Sequence, residues 1–274
     1  MIQLTILSLP HQSVCDDLSR NAGFVVKKLE PLSSGRGQSR LKEIDSMLKA
    51  DHIYRHSEVT TWAHETTHGI NSRARQLFQK HYKGPINALY MLGGYVAILG
   101  EPPLTLRDVA VAVPQELRGQ HTYQLYLVDQ QRYWNKEPLY ILDELTAYTN
   151  GAVVGMEYRK NIYSDEWFAL DMLAYALTLC QLVERLDYNE RPLYAFVNHY
   201  CVWHATYIRP QLMSRNQYYK QYSIQYGLMQ KHYGPFILRR FGQKTYARMF
   251  RQERVPLLRK ILTLPFQDVI CPVK

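Results

Sequence analysis

The chain has 274 residues, 46% of them hydrophobic and 21% charged, the balance of a globular protein able to bury a core as one domain or two packed lobes. No run approaches the roughly 20 apolar residues of a membrane helix, and the best candidate, 172–180, stops well short. The net charge of +9 sits in one place, since residues 215–260 hold 11 Lys and Arg against Glu253 alone.

That basic stretch would suit an acidic substrate, a nucleic acid or an anionic surface, but its charges are spaced rather than clustered, as on solvated helix faces. The N-terminus shows no secretory pattern, because only residues 4–9 are mainly apolar and no basic residue precedes them; a cytoplasmic location is expected. Cys15, Cys180, Cys201 and Cys271 are scattered without a C-x-x-C pair, which removes a zinc-ribbon or thioredoxin-type reading and favours buried free thiols over two bridges. Tyrosine is abundant, at 22 residues against 8 phenylalanines, and it suits half-buried clefts where a ring is covered and a hydroxyl keeps a partner.

In chain order, residues 2–9 alternate loosely and read as a short strand ended by Pro10. Residues 31–40 are a loop by composition, and Leu41, Ile44 and Leu48 form one apolar stripe of a helix over 41–48. Ser57 is placed to cap the next helix, with Glu58 favourable in its first turn; Gly69 or Asn71 would end it, and a further helix would cover 72–82. Residues 88–99 are two apolar arms about Gly93 and Gly94, either a hairpin or a buried helix pair broken at the glycines. Short helices follow over 105–112, closed by Pro114, and over 120–133. From Pro138 the pattern is one of long helices: to Tyr158, then from Ser164-Asp165-Glu166 to about Leu186, then from Pro192 to Ile208. Segments at 215–232, 235–249 and 254–263 complete the set. The predicted fold is mainly α with a small β element, as one domain over 1–274 or as packed lobes over 1–135 and 136–274.

Within the helix that begins near Ser57 stands His64-Glu65-Thr66-Thr67-His68. Histidines four apart lie one above the other on a helix face, so both imidazoles can reach one metal ion, and Glu65 is close enough to hold a metal-bound water. Glu65 is also the one charged residue between Glu58 and Arg73, as a helix buried behind a metal requires. A surface helix whose histidines merely faced solvent would carry more charge. This is the H-E-x-x-H pattern of zinc metallopeptidases, and Zn2+ is the expected cofactor.

A catalytic zinc usually keeps three protein ligands and leaves a position for water. The continuation H-x-x-G-x-x-H fails, because Asn71 and Ala74 stand where it needs glycine and histidine, and Cys15 lacks a glycine-cysteine context. A glutamate from a later helix remains. Glu144 has the apolar neighbours Tyr140, Ile141, Leu145 and Ala147, so its face should be buried, where a metal would compensate the carboxylate. Asp143 is turned from it by about 100° on a helix and is expected to matter little. The competing reading makes both acids an exposed edge near the helix start.

His64-Glu65-Thr66-Thr67-His68 with the downstream Glu144-Leu145-Thr146-Ala147-Tyr148 resembles the zincin metallopeptidases of the glutamate-ligand type, the gluzincins, over roughly thirty residues. The resemblance implies a zincin-like fold, with one helix carrying the motif and a second carrying the third ligand. It further implies zinc held by His64, His68 and Glu144, Glu65 as the base, and a peptide or protein substrate. Two features depart from it. Tyr148 stands where the thermolysin-type pattern has an aspartate, and the 75 residues between His68 and Glu144 leave the substrate-binding elements unassigned.

The expected reaction is zinc-assisted peptide hydrolysis, with Glu65 accepting the proton of the water and passing it to the leaving amine. Tyr148, Tyr140, His199 and His204 are the candidates for stabilising the oxyanion. Two rival readings are a non-catalytic zinc-binding protein, against which Glu65 argues, and a nucleic-acid or anionic-surface binder using 215–260.

Overall fold

Gly93 and Gly94 take left-handed φ values of 97° and 76°, and this turns the apolar 88–99 stretch into a hairpin rather than a pair of helices. Its arms are β2 (Ile86–Met91) and β3 (Tyr95–Gly100), paired antiparallel with Met91 opposite Tyr95. A third strand, β1 (Val25–Lys28), pairs antiparallel with β3, giving the order β1-β3-β2. The arms show no polar alternation because both faces are covered. Ala88, Tyr90, Val96 and Ile98 share a core with Leu41, Ile44, Ala63, Ile70 and Ala74. Leu89, Met91, Ala97 and Leu99 face the helices of the second half of the chain.

The computed structural model describes residues 19–118, 120–158, 163–210 and 219–250. The expected strand at 2–9 and helix at 254–263, together with Cys15 and Cys271, lie outside them.

Helix α1 (Ser39–Ser46) leads to the motif helix α2 (Val59–Phe78). The cap of α2 is Glu58 rather than Ser57: its carboxylate accepts from Thr60 N at 2.7 Å and Thr61 N at 2.9 Å, satisfying amides that would otherwise lack partners. Neither Gly69 nor Asn71 ends this helix, and the expected helix over 72–82 is its continuation. Gly69 serves close packing instead. A Cβ there would lie 2.4 Å from Tyr54 Cε2 and 2.8 Å from Leu48 Cδ1, so the glycine lets the preceding loop lie against the helix.

After α3 (Leu106–Ala112), whose start is closed by a reciprocal Thr105–Asp108 capping box, the 120–133 segment is helical but contains a π-helical stretch, Tyr123–Asp129. The long helices follow as α4 (Tyr140–Glu157), α5 (Tyr163–Val183), α6 (Arg191–Trp203, continued by a π turn at His204–Ile208), α7 (Tyr219–Arg240) and α8 (Gly242–Phe250). The break between the last two falls at Gly242, with φ 86°, and not before Pro235. Pro235 is carried inside α7 because Tyr233, Phe236 and Ile237 are buried around it. The molecule is therefore mainly helical with a small antiparallel sheet. Among the described residues one segment, Asp165–Val183, is long and apolar enough to cross a membrane, and it is mostly buried as the core helix α5.

Helix α4 lies between α2 and α5 and is buried on almost every side, including Asp143, Glu144, Thr146, Thr149 and Asn150. Polar contacts fix its register on α2. Asn150 donates to Thr67 Oγ1 at 3.2 Å, and Asn71 Nδ2 donates to Asp143 at 2.9 Å and Thr146 at 3.3 Å. Such contacts specify one sliding position where apolar packing alone would tolerate several.

Candidate metal centre

The spacing of four on α2 stacks His64 over His68, and α4 brings Glu144 opposite them. The two Nε2 atoms are 3.0 Å apart, and Glu144 Oε2 lies 3.7 Å from that of His64 and 3.5 Å from that of His68. Tetrahedral zinc with bonds of about 2.0–2.1 Å spaces its ligand atoms by roughly 3.3–3.4 Å, a value the three separations bracket. Among the described residues this is also the one group of three His, Cys, Asp or Glu side chains close enough to share an ion. Glu144 Oε2 is buried with no hydrogen-bond partner. A buried carboxylate oxygen without a donor is costly, and a cation held between it and the imidazoles would remove that cost. The donor set and the orphaned oxygen both fit a divalent metal ion.

Asp143, expected to matter little, is engaged with the motif helix. It is buried, and its Oδ1 accepts from His68 Nδ1 at 2.6 Å and from Asn71 Nδ2 at 2.9 Å. Arg75 Nη1 lies 3.7 Å from its other oxygen. In the neutral imidazole, a proton held at Nδ1 leaves Nε2 of His68 as the lone-pair atom facing the centre, the usual arrangement behind a metal-bound imidazole. The helix turn does keep Asp143 out of the ligand position, but the same turn delivers it to the back of His68. Asn71 extends the chain by accepting from Tyr90 N at 2.6 Å, which ties it to strand β2. A buried aspartate beside Glu144 on a helix with no basic residue was the one signal in the sequence that it needed a partner elsewhere.

The electrostatics follow from this packing. Burial, reinforced by His68, pushes His64 well below the ordinary imidazole range. Burial alone would lower His68 too, but Glu144 and Asp143 more than offset it and hold His68 well above that range.

Tyrosines close the site. The Tyr148 ring packs 4.3 Å from that of His64, filling the place where an aspartate stands in the resembling pattern. Tyr140 lies with its hydroxyl on Glu144 and its ring stacked on Trp134 at 5.2 Å, and the Arg75 guanidinium lies 5.7 Å from that indole. Tyr126, from the π-helical stretch, shares a hydroxyl–hydroxyl bond with Tyr148. Burial, and then the Glu144 charge, pushes the phenols of Tyr126 and Tyr140 upward; burial and then Tyr126 do so for Tyr148, so all three stay protonated. Tyr126 was absent from the candidates drawn from the sequence.

Glu65 is exposed on α2 and makes no hydrogen bond among the described residues. His68 keeps a quarter of its side chain exposed. Of the two histidine candidates for the oxyanion, His204 is turned to the Tyr226 hydroxyl at 3.0 Å, and His199 packs against Tyr200. Burial pushes them down to about 3 and about 4, so both are neutral core groups. In the basic region, Arg239 and Arg240 are paired with Glu184, and Lys231 with Glu116. Cys180 and Cys201 are buried free thiols.

No protein-family model, no curated protein and no solved structure matches the chain.

Proposed function

We propose that the chain is a zinc-dependent peptidase of the glutamate-ligand zincin type, with zinc held by His64, His68 and Glu144. The observation that carries the reading is the convergence of two imidazole nitrogens and one orphaned carboxylate oxygen, from two helices, within 3.0–3.7 Å. When bound there, zinc would polarise the scissile carbonyl and lower the pKa of a water to about 7.

The chain's own residues supply the rest. Asp143 and Asn71 keep His68 in the required tautomer and orientation. Tyr140 holds the Glu144 carboxylate in place. Glu65, exposed and uncommitted beside His64, takes a proton from the attacking water and returns it to the leaving amine. Tyr148 and Tyr126 wall the site on the His64 side and exclude bulk water there. The exposure of Glu65 and His68 marks the side from which a peptide would enter.

The test is elemental analysis of the purified protein together with hydrolysis of a general peptide mixture by wild type and Glu65→Gln. One equivalent of zinc in both proteins, with hydrolysis lost in the variant, supports the reading. Absence of zinc, or hydrolysis surviving in the variant within a few-fold, overturns it.

A further inference from the structure

Arg75 stands about two turns beyond His68 on the same face of α2, since seven residues bring a helix back to one side. Its side chain is 23% exposed, and among the described residues its guanidinium makes no hydrogen bond. Two contacts fix it instead. Nη1 lies 3.7 Å from Oδ2 of the buried Asp143, and Cζ lies 5.7 Å from the centre of the Trp134 ring. Arg73, turned to the opposite flank of α2, shows the ordinary use of such a side chain. It donates to the Met47 and Glu30 carbonyls and so holds a loop. Arg75 is spent on two side chains near the metal centre.

From each contact an arm runs to a candidate ligand. Asp143 Oδ1 accepts from His68 Nδ1 at 2.6 Å, so the first arm ends behind the imidazole. The Trp134 ring is stacked on Tyr140, with 5.2 Å between centres and planes 3° apart. Tyr140 stands four residues before Glu144 on one stripe of α4, so the second arm ends beside the carboxylate. His68 belongs to α2 and Glu144 to α4, and their 3.5 Å separation depends on how the two helices settle. Arg75 reaches from α2 both to α4 and to the segment leading into it. A guanidinium suits that place, because it is flat and permanently charged. It can pair with a carboxylate while lying against an aromatic ring, which an ammonium does less well.

We propose that Arg75 is a positioning residue that holds His68 and Glu144 at the spacing a metal ion requires. The inference rests on the metal centre of the reading above and not on hydrolysis. Arg75 acts through Asp143 on one ligand, and through Trp134 and Tyr140 on the other. Ligands from two helices, braced from one point, rearrange less when the ion arrives, and the affinity rises accordingly.

The experiment reads zinc affinity by chelator competition in wild type, Arg75→Met, Arg75→Lys, Trp134→Leu and Asp143→Ala. Two double variants join Arg75→Met to each of the last two. Arg75→Met should weaken zinc about tenfold. In the Trp134→Leu and Asp143→Ala backgrounds it should cost about threefold or less, because one arm is already cut there. Arg75→Lys keeps the charge beside Asp143 but not the flat contact with the indole, and should show an intermediate loss. With cobalt(II) in place of zinc, the visible absorption bands report ligand geometry and should shift in Arg75→Met. A residue that only stabilised the fold would leave them in place. Should Arg75→Met fail to fold, Arg75→Lys, alone and joined to Trp134→Leu, carries the same comparison. Zinc affinity in Arg75→Met within about twofold of wild type, losses that simply multiply in both double variants, or an unchanged cobalt spectrum overturns this inference while leaving the metal centre standing. A wild type that binds no zinc overturns the centre and this inference with it.

Discussion

Asp143 Oδ1 accepts from His68 Nδ1 at 2.6 Å, on the side of the imidazole opposite Glu144. The ring is therefore gripped from behind by one carboxylate while a second faces its other nitrogen. Adjacent residues of one helix provide both, because a step of about 100° sends neighbouring side chains to either side of an imidazole lying across the helix. If that grip sets the ligand, Asp143→Ala should weaken zinc by about 10–100-fold, and Asp143→Asn, which keeps an acceptor oxygen, should weaken it less. Competition against a chromophoric chelator measures both. Equal affinity in wild type and Asp143→Ala would show that the bond is structural only.

Glu144 yields a prediction with two readouts. Its Oε2 faces His68 Nε2 at 3.5 Å, and its charge helps hold that imidazole well above the ordinary range, so the pair attracts when no metal is bound. Glu144→Gln should lose zinc affinity sharply in a chelator competition, and its chelator-treated form should melt below wild type under the same treatment, because the buried attraction is lost too. A folded variant that keeps wild-type zinc affinity would remove Glu144 from the proposed ligands.

Removing the metal should leave the fold in place. None of the three proposed ligands belongs to the apolar core around α5 and the sheet. Excess chelator should preserve the far-ultraviolet circular dichroism spectrum, and so should His64→Ala and His68→Ala. Global unfolding would instead mark a structural zinc of the kind that folds small domains.

Asp171 is buried, accepts from Thr122 at 2.6 Å and Gln225 at 3.1 Å, and is raised to about 7, chiefly by burial. A group whose folded pKa exceeds its unfolded value contributes stability that is present below the unfolded pKa and lost as pH rises through the folded one. Here the window runs from its ordinary 3.8 to about 7. Asp171→Asn removes that dependence, so its stability relative to wild type should climb across the window and level off above it. The total change should be on the order of a few kcal/mol. Urea titrations at several pH values measure it, and a difference that does not vary with pH would refute the assignment.

Gly69→Ala should destabilise the protein by about 1–3 kcal/mol, since the added methyl meets Tyr54 and Leu48 inside van der Waals contact. Equilibrium urea unfolding gives the value. A neutral result would show that the Tyr54 loop moves aside freely.

Much of this protein was legible one residue at a time. The four-residue spacing of His64 and His68, the hairpin about Gly93 and Gly94, and the long helices after Pro138 are local patterns. Backbone geometry converts each into structure with little help from elsewhere. Even Glu144 could be singled out, because a carboxylate among apolar neighbours implies burial and hence a partner.

What tertiary structure alone decided are the matters of approach between distant segments. Gly69 looked like a helix stop, yet it is a contact point for Tyr54 fifteen positions earlier. Asp143 was expected to matter little because the helix turns it about 100° from Glu144, yet its partners His68, Asn71 and Arg75 belong to α2. Tyr126 was one tyrosine among 22 until a π-helical stretch set its hydroxyl against Tyr148. Periodicity reports which face of an element is buried. It carries no information on which side chain of another element meets that face, since that depends on how α2 and α4 settle against each other.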